Sequence, residues 1–166
     1  INEVLIRHDA LEQYSRRNSI RISGLDAATI SRTTAGNYEA LVALLNEKMK
    51  LEPQMSVAEI DRAHTVVSST TEARPMLVKF VSYQSKSKVM RKKMNLKGSH
   101  IYISEDLTRQ RAELFWKCRV LRKKKNIDDC WTYDGSVYAR IGDDAAGGSK
   151  TFRIASQADL DKITSH

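Results

Sequence analysis

Apolar and polar positions follow two rhythms along this chain, and the rhythm changes at recognisable punctuation. Residues 1–17 hold neither Gly nor Pro, and Ile1, Val4, His8, Leu11 and Ser15 recur at alternating spacings of three and four. That is the seam of a coiled coil, weakening toward Asn18-Ser19, or one amphipathic helix packed on its own domain. In 19–24, Ile20 and Ile22 face one way and Ser19, Arg21 and Ser23 the other, as in a strand with one buried and one polar face. A helical stripe of Leu41, Val42, Leu45 and Met49 runs through 37–51 and is stopped by Pro53.

Residues 59–66 alternate loosely and predict a strand, and 67–74 read as a polar loop. The strongest strand is 75–82, with Met76, Val78 and Phe80 on one face and Leu77, Lys79 and Val81 on the other. A helix over 84–94 buries Val89 and Met90, and a short strand at 101–103 follows the turn Lys97-Gly98-Ser99. The order is βαββαβ, an antiparallel sheet under two helices. Asp106 is the expected N-cap of a long helix reaching Lys125. Residues 131–133 and 137–139 flank Asp134-Gly135, the sharpest hairpin signal in the chain. After a loop at 142–150 comes a short strand at 152–154, and Ser156 caps a last helix through Ile163. The expected fold is α+β: 1–17 the end of a coiled-coil helix, 18–104 a βαββαβ domain like an RNA-recognition motif, and 105–166 a small helix–hairpin–strand–helix C-terminal domain.

Charge sharpens this picture. Six basic residues and no acid lie in 86–97, and eight basic residues with the single acid Glu113 lie in 109–125. These blocks carry +13 together, while the remaining 14 basic and 19 acidic residues leave the rest of the chain at −5. A field polarised in this way attracts a polyanion: nucleic acid first, an anionic membrane surface second. With 166 residues, 41% of them hydrophobic, the chain suffices for one ordinary domain or two small ones. No apolar run approaches the ~18 residues of a membrane-spanning helix, and no signal-peptide pattern opens the chain. Because it begins at Ile1, a fragment or a processed chain is expected. Cys118 and Cys130 fit no zinc spacing and are expected as reduced thiols of an intracellular protein.

Catalysis finds little footing. The four histidines are scattered, and the pairs Asp128-Asp129 and Asp143-Asp144 read as solvated turns. No catalytic residue, metal site or cofactor is expected. On the first unit's sheet, Arg21 stands where an RNA-recognition motif carries a stacking aromatic, so the face of Arg21, Leu77 and Lys79 is a poor base platform. On the long helix, Leu107, Leu114, Cys118 and Leu121 face a core, while Trp116 lies opposite, among cations. Trp116 could stack on a base, but large aromatics are usually buried, so a core position is expected.

Residues Glu12-Gln13-Tyr14-Ser15-Arg16-Arg17-Asn18-Ser19-Ile20-Arg21-Ile22-Ser23-Gly24 resemble the coiled-coil junction of first-open-reading-frame proteins of LINE-type retrotransposons. Arg74-Pro75-Met76-Leu77-Val78-Lys79-Phe80 looks like their third strand, and 97–107 is similar to their passage into a C-terminal domain. The resemblance implies a nucleic-acid chaperone that binds single-stranded RNA and also single-stranded DNA without sequence preference. It further implies a homotrimer in the full-length protein and a cytoplasmic ribonucleoprotein with access to the nucleus, not a membrane protein. The matching contact positions are Arg16, Arg17, Arg21, Arg74, Arg91, Lys92, Lys93, Lys97, Arg109, Arg111 and Tyr133. The rival reading is an oligomerisation module whose basic face meets acidic proteins or membrane. With His8 and Ser15 in a seam under three heptads, the chain is expected to be monomeric or weakly associated.

Overall fold

Alternation in Ser19–Ser23 and Met76–Phe80 puts Ile20, Ile22, Met76, Val78 and Phe80 on one face, where each is buried. The computed structural model describes residues 2–66, 75–143 and 147–165. Its elements are α1 (Asn2–Ser15), β1 (Ser19–Ser23), α2 (Ala27–Thr34), α3 (Glu39–Met49), β2 (Ile60–Thr65), β3 (Met76–Phe80), α4 (Tyr83–Arg91) and β4 (Tyr102–Glu105). They continue as α5 (Arg109–Lys123), β5 (Asp129–Tyr133), β6 (Ser136–Asp143), β7 (Gly148–Ile154) and α6 (Gln157–Thr164). The chain is thus α+β. It divides into two compact units, one of residues 17–106 and one that joins 1–16 to 107–166.

In the 17–106 unit the four strands lie in the order β2-β3-β1-β4, all antiparallel. Leu41, Val42, Leu45 and Met49 of α3 and Val89 of α4 complete one core with the inward strand residues. The pattern missed α2. Its stretch Ala27–Thr34 is rich in Thr and Ile, whose β-branched side chains weaken helical propensity. The helix forms because Asp26 caps it, accepting from the Thr29 amide at 2.8 Å, and because Thr29 and Thr33 are buried. The Asp26 carboxyl is held below its usual range, chiefly by that amide.

In the other unit β5, β6 and β7 form an antiparallel sheet against α5 and α6, with Leu114, Cys118, Ile127, Cys130, Val137 and Ile154 in its core. Asp134 (φ 47°) and Gly135 (φ 77°) form the expected tight turn, both in the left-handed region that such hairpins require. Strands β6 and β7 run further than the pattern suggested, pairing from Val137↔Ile154 out to Asp143↔Gly148. From Ile141 on, the outer rungs bring in Gly142, Gly148, Ser149 and Lys150, so apolar alternation marked only the inner half. The α5 cap differs too. Glu105 pairs with Ile20, so β4 occupies the expected start of the helix, and Thr108, not Asp106, is the N-cap.

Candidate functional site

The basic blocks come apart once their side chains are placed. In the first, Lys86 is buried and donates to Glu105 Oε1 at 2.9 Å, with its ammonium 5.7 Å from the Tyr83 ring centroid. Lys88 donates to the Pro53 carbonyl at 3.2 Å and lies 3.4 Å from Glu59. Burial acts to raise the Glu59 carboxyl, but the Ser56 amide, the Ser85 hydroxyl and Lys88 outweigh it and hold the group below its usual range. The cations left on the surface are Arg91, Lys92, Lys93 and Lys97, around the C-terminal end of α4 and the short 3₁₀ turn beyond it. Their concentration there follows partly from the helix dipole, which favours cations at a C-terminus.

In the second block, Arg111 is mostly buried and donates to Asp9 Oδ2 at 2.8 Å and to the Gly135 carbonyl at 2.9 Å. Thr108 donates its hydroxyl to Asp9 Oδ1 at 2.6 Å, and its amide reaches the Gln13 side-chain oxygen at 2.9 Å. These bonds tie the inner face of α1 to the start of α5 and to the β5–β6 turn. Lys117 pairs with Glu113 and Gln157, Arg122 with Asp129, and Arg119 sits over the Phe115 ring. Arg109 and residues 123–125 are exposed.

The remaining expected contact residues are equally divided. Arg16 pairs with Glu12 at 2.8 Å, and Arg17 is exposed. Arg21 Nε lies 3.1 Å from Asp106, a carboxylate only 3% exposed, so the first strand's cation is engaged within its own unit. Tyr133 is 64% exposed at the hairpin turn, and Arg111 reaches the carbonyl of Gly135 in that same turn. Arg74 and Asp144 lie outside the described residues. Trp116, expected in a core, is 63% exposed, because the sheet covers only the Leu114–Cys118 side of α5.

Periodicity overlooked the polar anchor pair Asp9 and Gln13. They are four residues apart and therefore on one face of α1, the face opposite Val4 and Leu11. That spacing was the available signal. Among the described residues there is no group of three or more His, Cys, Asp or Glu side chains able to hold a metal ion, and no helix is long and apolar enough to cross a membrane.

Cys118 and Cys130 are buried free thiols in the core of the second unit. Burial, reinforced by neighbouring Cys130, pushes the Cys118 thiol from 9.0 up to about 11, and burial also raises that of Cys130. Both should therefore resist alkylation in the native state at pH 8 and react at the rate of unfolding. Rapid labelling of the folded protein would overturn this. A thiol raised in the folded state favours folding below its unfolded value, so this contribution should fade as pH climbs from about 9 toward 11.

The family model described as Baculovirus FP protein domain 2 matches residues 108–164. The match begins at the α5 cap and ends with the last residue of α6. No curated protein matches the chain. The similarity corrects the resemblance to LINE first-open-reading-frame proteins, because the C-terminal segment points to baculovirus FP proteins instead. The chaperone role, the RNA binding and the retrotransposon ribonucleoprotein drawn from that resemblance fall with it. The physical reason is plain: the three motifs behind it are a helix-to-strand junction, an alternating strand and a glycine turn. Such features encode local α+β geometry and carry no partner of their own.

Proposed function

We propose that this chain is an oligomerisation and scaffold module that associates with copies of itself through α1 and presents basic surfaces to acidic protein partners. The observation that carries this reading is that α1 is anchored through polar side chains while its apolar ones stay exposed. Its polar residues Asp9 and Gln13 are held against the rest of the unit, while Val4 (69% exposed) and Leu11 (71%) face solvent on the opposite side. An apolar stripe turned outward on an otherwise anchored helix is the signature of an interaction face.

Two features favour another copy of the chain as the occupant. Val4, His8 and Leu11 keep heptad spacing, so a parallel copy meets like with like. In that register Arg7 and Glu12 flank the seam five residues apart, where opposite charges pair across parallel helices in exchange for their present partners Glu3 and Arg16. Leu5 and Tyr14, also exposed, widen the apolar stripe beyond a two-stranded seam and favour a trimer. The helix is already ordered by its anchors, which removes the nucleation cost that defeats short isolated helices.

Burying a Val or Leu contributes roughly 1.5–3 kcal/mol, and association costs upward of about 4 kcal/mol. Two heptads should therefore associate with a dissociation constant on the order of 100 µM. Sedimentation equilibrium across that range should show reversible association that Val4→Asp with Leu11→Asp abolishes while the melting temperature holds. Equal association of the variant, or a strictly monomeric parent at millimolar protein, refutes the proposal. The acidic-partner half of the reading is supported by the exposed Arg91, Lys92 and Lys93.

A further inference from the structure

Beyond the C-terminal end of α4 the chain makes a 3₁₀ turn and returns to β4, the outer strand of its sheet, paired on one side with β1. Hydrogen bonds fix the turn. Asn95 Nδ2 donates to the Met49 carbonyl at 2.7 Å, and the Ser99 hydroxyl donates to the Leu96 carbonyl at 2.6 Å. Between turn and strand lies a recess of about 380 Å³. Its floor is Leu96, Ile101 and Ile103, all buried in the core of the 17–106 unit. Met94 and Tyr102 line it as well, 70% and 71% exposed, with the exposed Lys93 and Lys97 beside them.

The charge around the recess is positive. Among the described residues no acidic side chain lines it, and no ion pair or side-chain hydrogen bond engages Arg91, Lys92, Lys93 or Lys97. Of the elements packed against the turn, α4 brings Lys86 and Lys88, already bonded to Glu105 and Glu59. The end of α3 and its exit carry Glu47, Lys48, Lys50 and Glu52, which cancel. Lys97 stands well past the end of α4 at Arg91, where the helix dipole no longer accounts for a cation.

We propose that this recess binds an acidic peptide segment of a protein partner: one bulky apolar side chain enters beside Met94 and Tyr102, and the carboxylates flanking it meet Lys93 and Lys97. It rests on the acidic-partner half of the proposed function and gives that partner a place and a form. The recess is concave with a buried floor, so it admits a projecting side chain, whereas a flat bilayer surface would span its mouth. Met94 is unbranched and polarizable, a side chain that moulds itself to varied apolar groups. Because the turn is already fixed, binding need not order it.

Amide chemical-shift titration of the whole chain tests this with three capped peptides. The first has a central phenylalanine between two pairs of acidic residues, the second replaces the phenylalanine by alanine, and the third replaces the acids by glutamine. Saturable shifts centred on residues 93–103 are expected for the first. The second and third should each bind about tenfold more weakly, the scale of one buried side chain or one charge-assisted contact. Met94→Ser should weaken the first peptide about threefold and leave the melting temperature unchanged, since the side chain is exposed. Lys93→Gln with Lys97→Gln should remove the preference for the acidic peptide over the glutamine one. Equal affinity of the phenylalanine and alanine peptides would overturn the site. Saturable binding of the acidic peptide that maps instead to the 109–125 block would strike this site and leave the acidic partner standing. No saturation by either acidic peptide up to about 5 mM would end both. Phosphatidylglycerol vesicles that shift these amides where the peptides do not would overturn the peptide in favour of a membrane surface.

Discussion

Lys86→Met alone is expected to destabilise the 17–106 unit by about 3–5 kcal/mol, because it takes a buried cation from beside the buried Glu105 carboxylate. Lys86 and Glu105 are 4% and 5% exposed, and their 2.9 Å contact ties α4 to the end of β4. Removing both charges is a different matter. Lys86→Met with Glu105→Leu should recover most of the loss, since apolar pairs of similar volume commonly replace buried ion pairs at little cost. Hydrogen exchange of the β1 and β4 amides reads this unit specifically. A single variant that costs under about 1 kcal/mol would mean that water reaches the pair, since exposed pairs lie in that range. Lys86 therefore has a structural task, as Lys88 has in its bonds to Pro53 and Glu59, despite their place in a run of basic residues.

Gly24→Ala should be comparably damaging, by roughly 2–6 kcal/mol, the sum of backbone strain and overpacking. Gly24 sits at φ +86°, and a Cβ there would lie 1.8 Å from the His100 carbonyl oxygen, an atom of the backbone that cannot swing aside. The approach joins the exit of β1 to the residues that lead into β4. Gly36 supplies the control: its φ is +89°, but nothing lies within 4 Å of its would-be Cβ. Gly36→Ala should cost only about 1 kcal/mol, the left-handed strain without the clash. Equal melting shifts for the two variants would show that the His100 contact yields, and would remove the steric half of the argument.

Legibility of the sequence varied with the kind of signal. Strands β1 and β3, helix α3 and the Asp134-Gly135 hairpin were readable, because a buried face imposes its period directly on the residues. Helix α2 was not readable: its Thr-rich stretch owes its shape to the Asp26 cap and to burial of Thr29 and Thr33, both effects of context. Trp116 was misplaced because periodicity gives the opposite sides of α5 without saying how many of them the sheet covers. Resemblance through three short motifs misled further, since local geometry recurs across unrelated families.

The sequence by itself determined the α+β class, the order of most elements, the inward set of core residues and the concentration of charge in two blocks. These are properties of spacing and composition, and neighbours along the chain suffice to express them. Tertiary structure alone decided which cations are surface and which are mortar. Lys86, Arg21 and Arg111 look like Arg91 or Lys93 in a string of letters, yet each meets a carboxylate 19, 85 or 102 residues away. It also decided that Asp9 and Gln13 of α1 bond into the unit while Val4, Leu5, Ile6 and Leu11 stay exposed. Such pairings depend on distance in space, and no periodicity along the chain encodes which remote carboxylate a given cation will find.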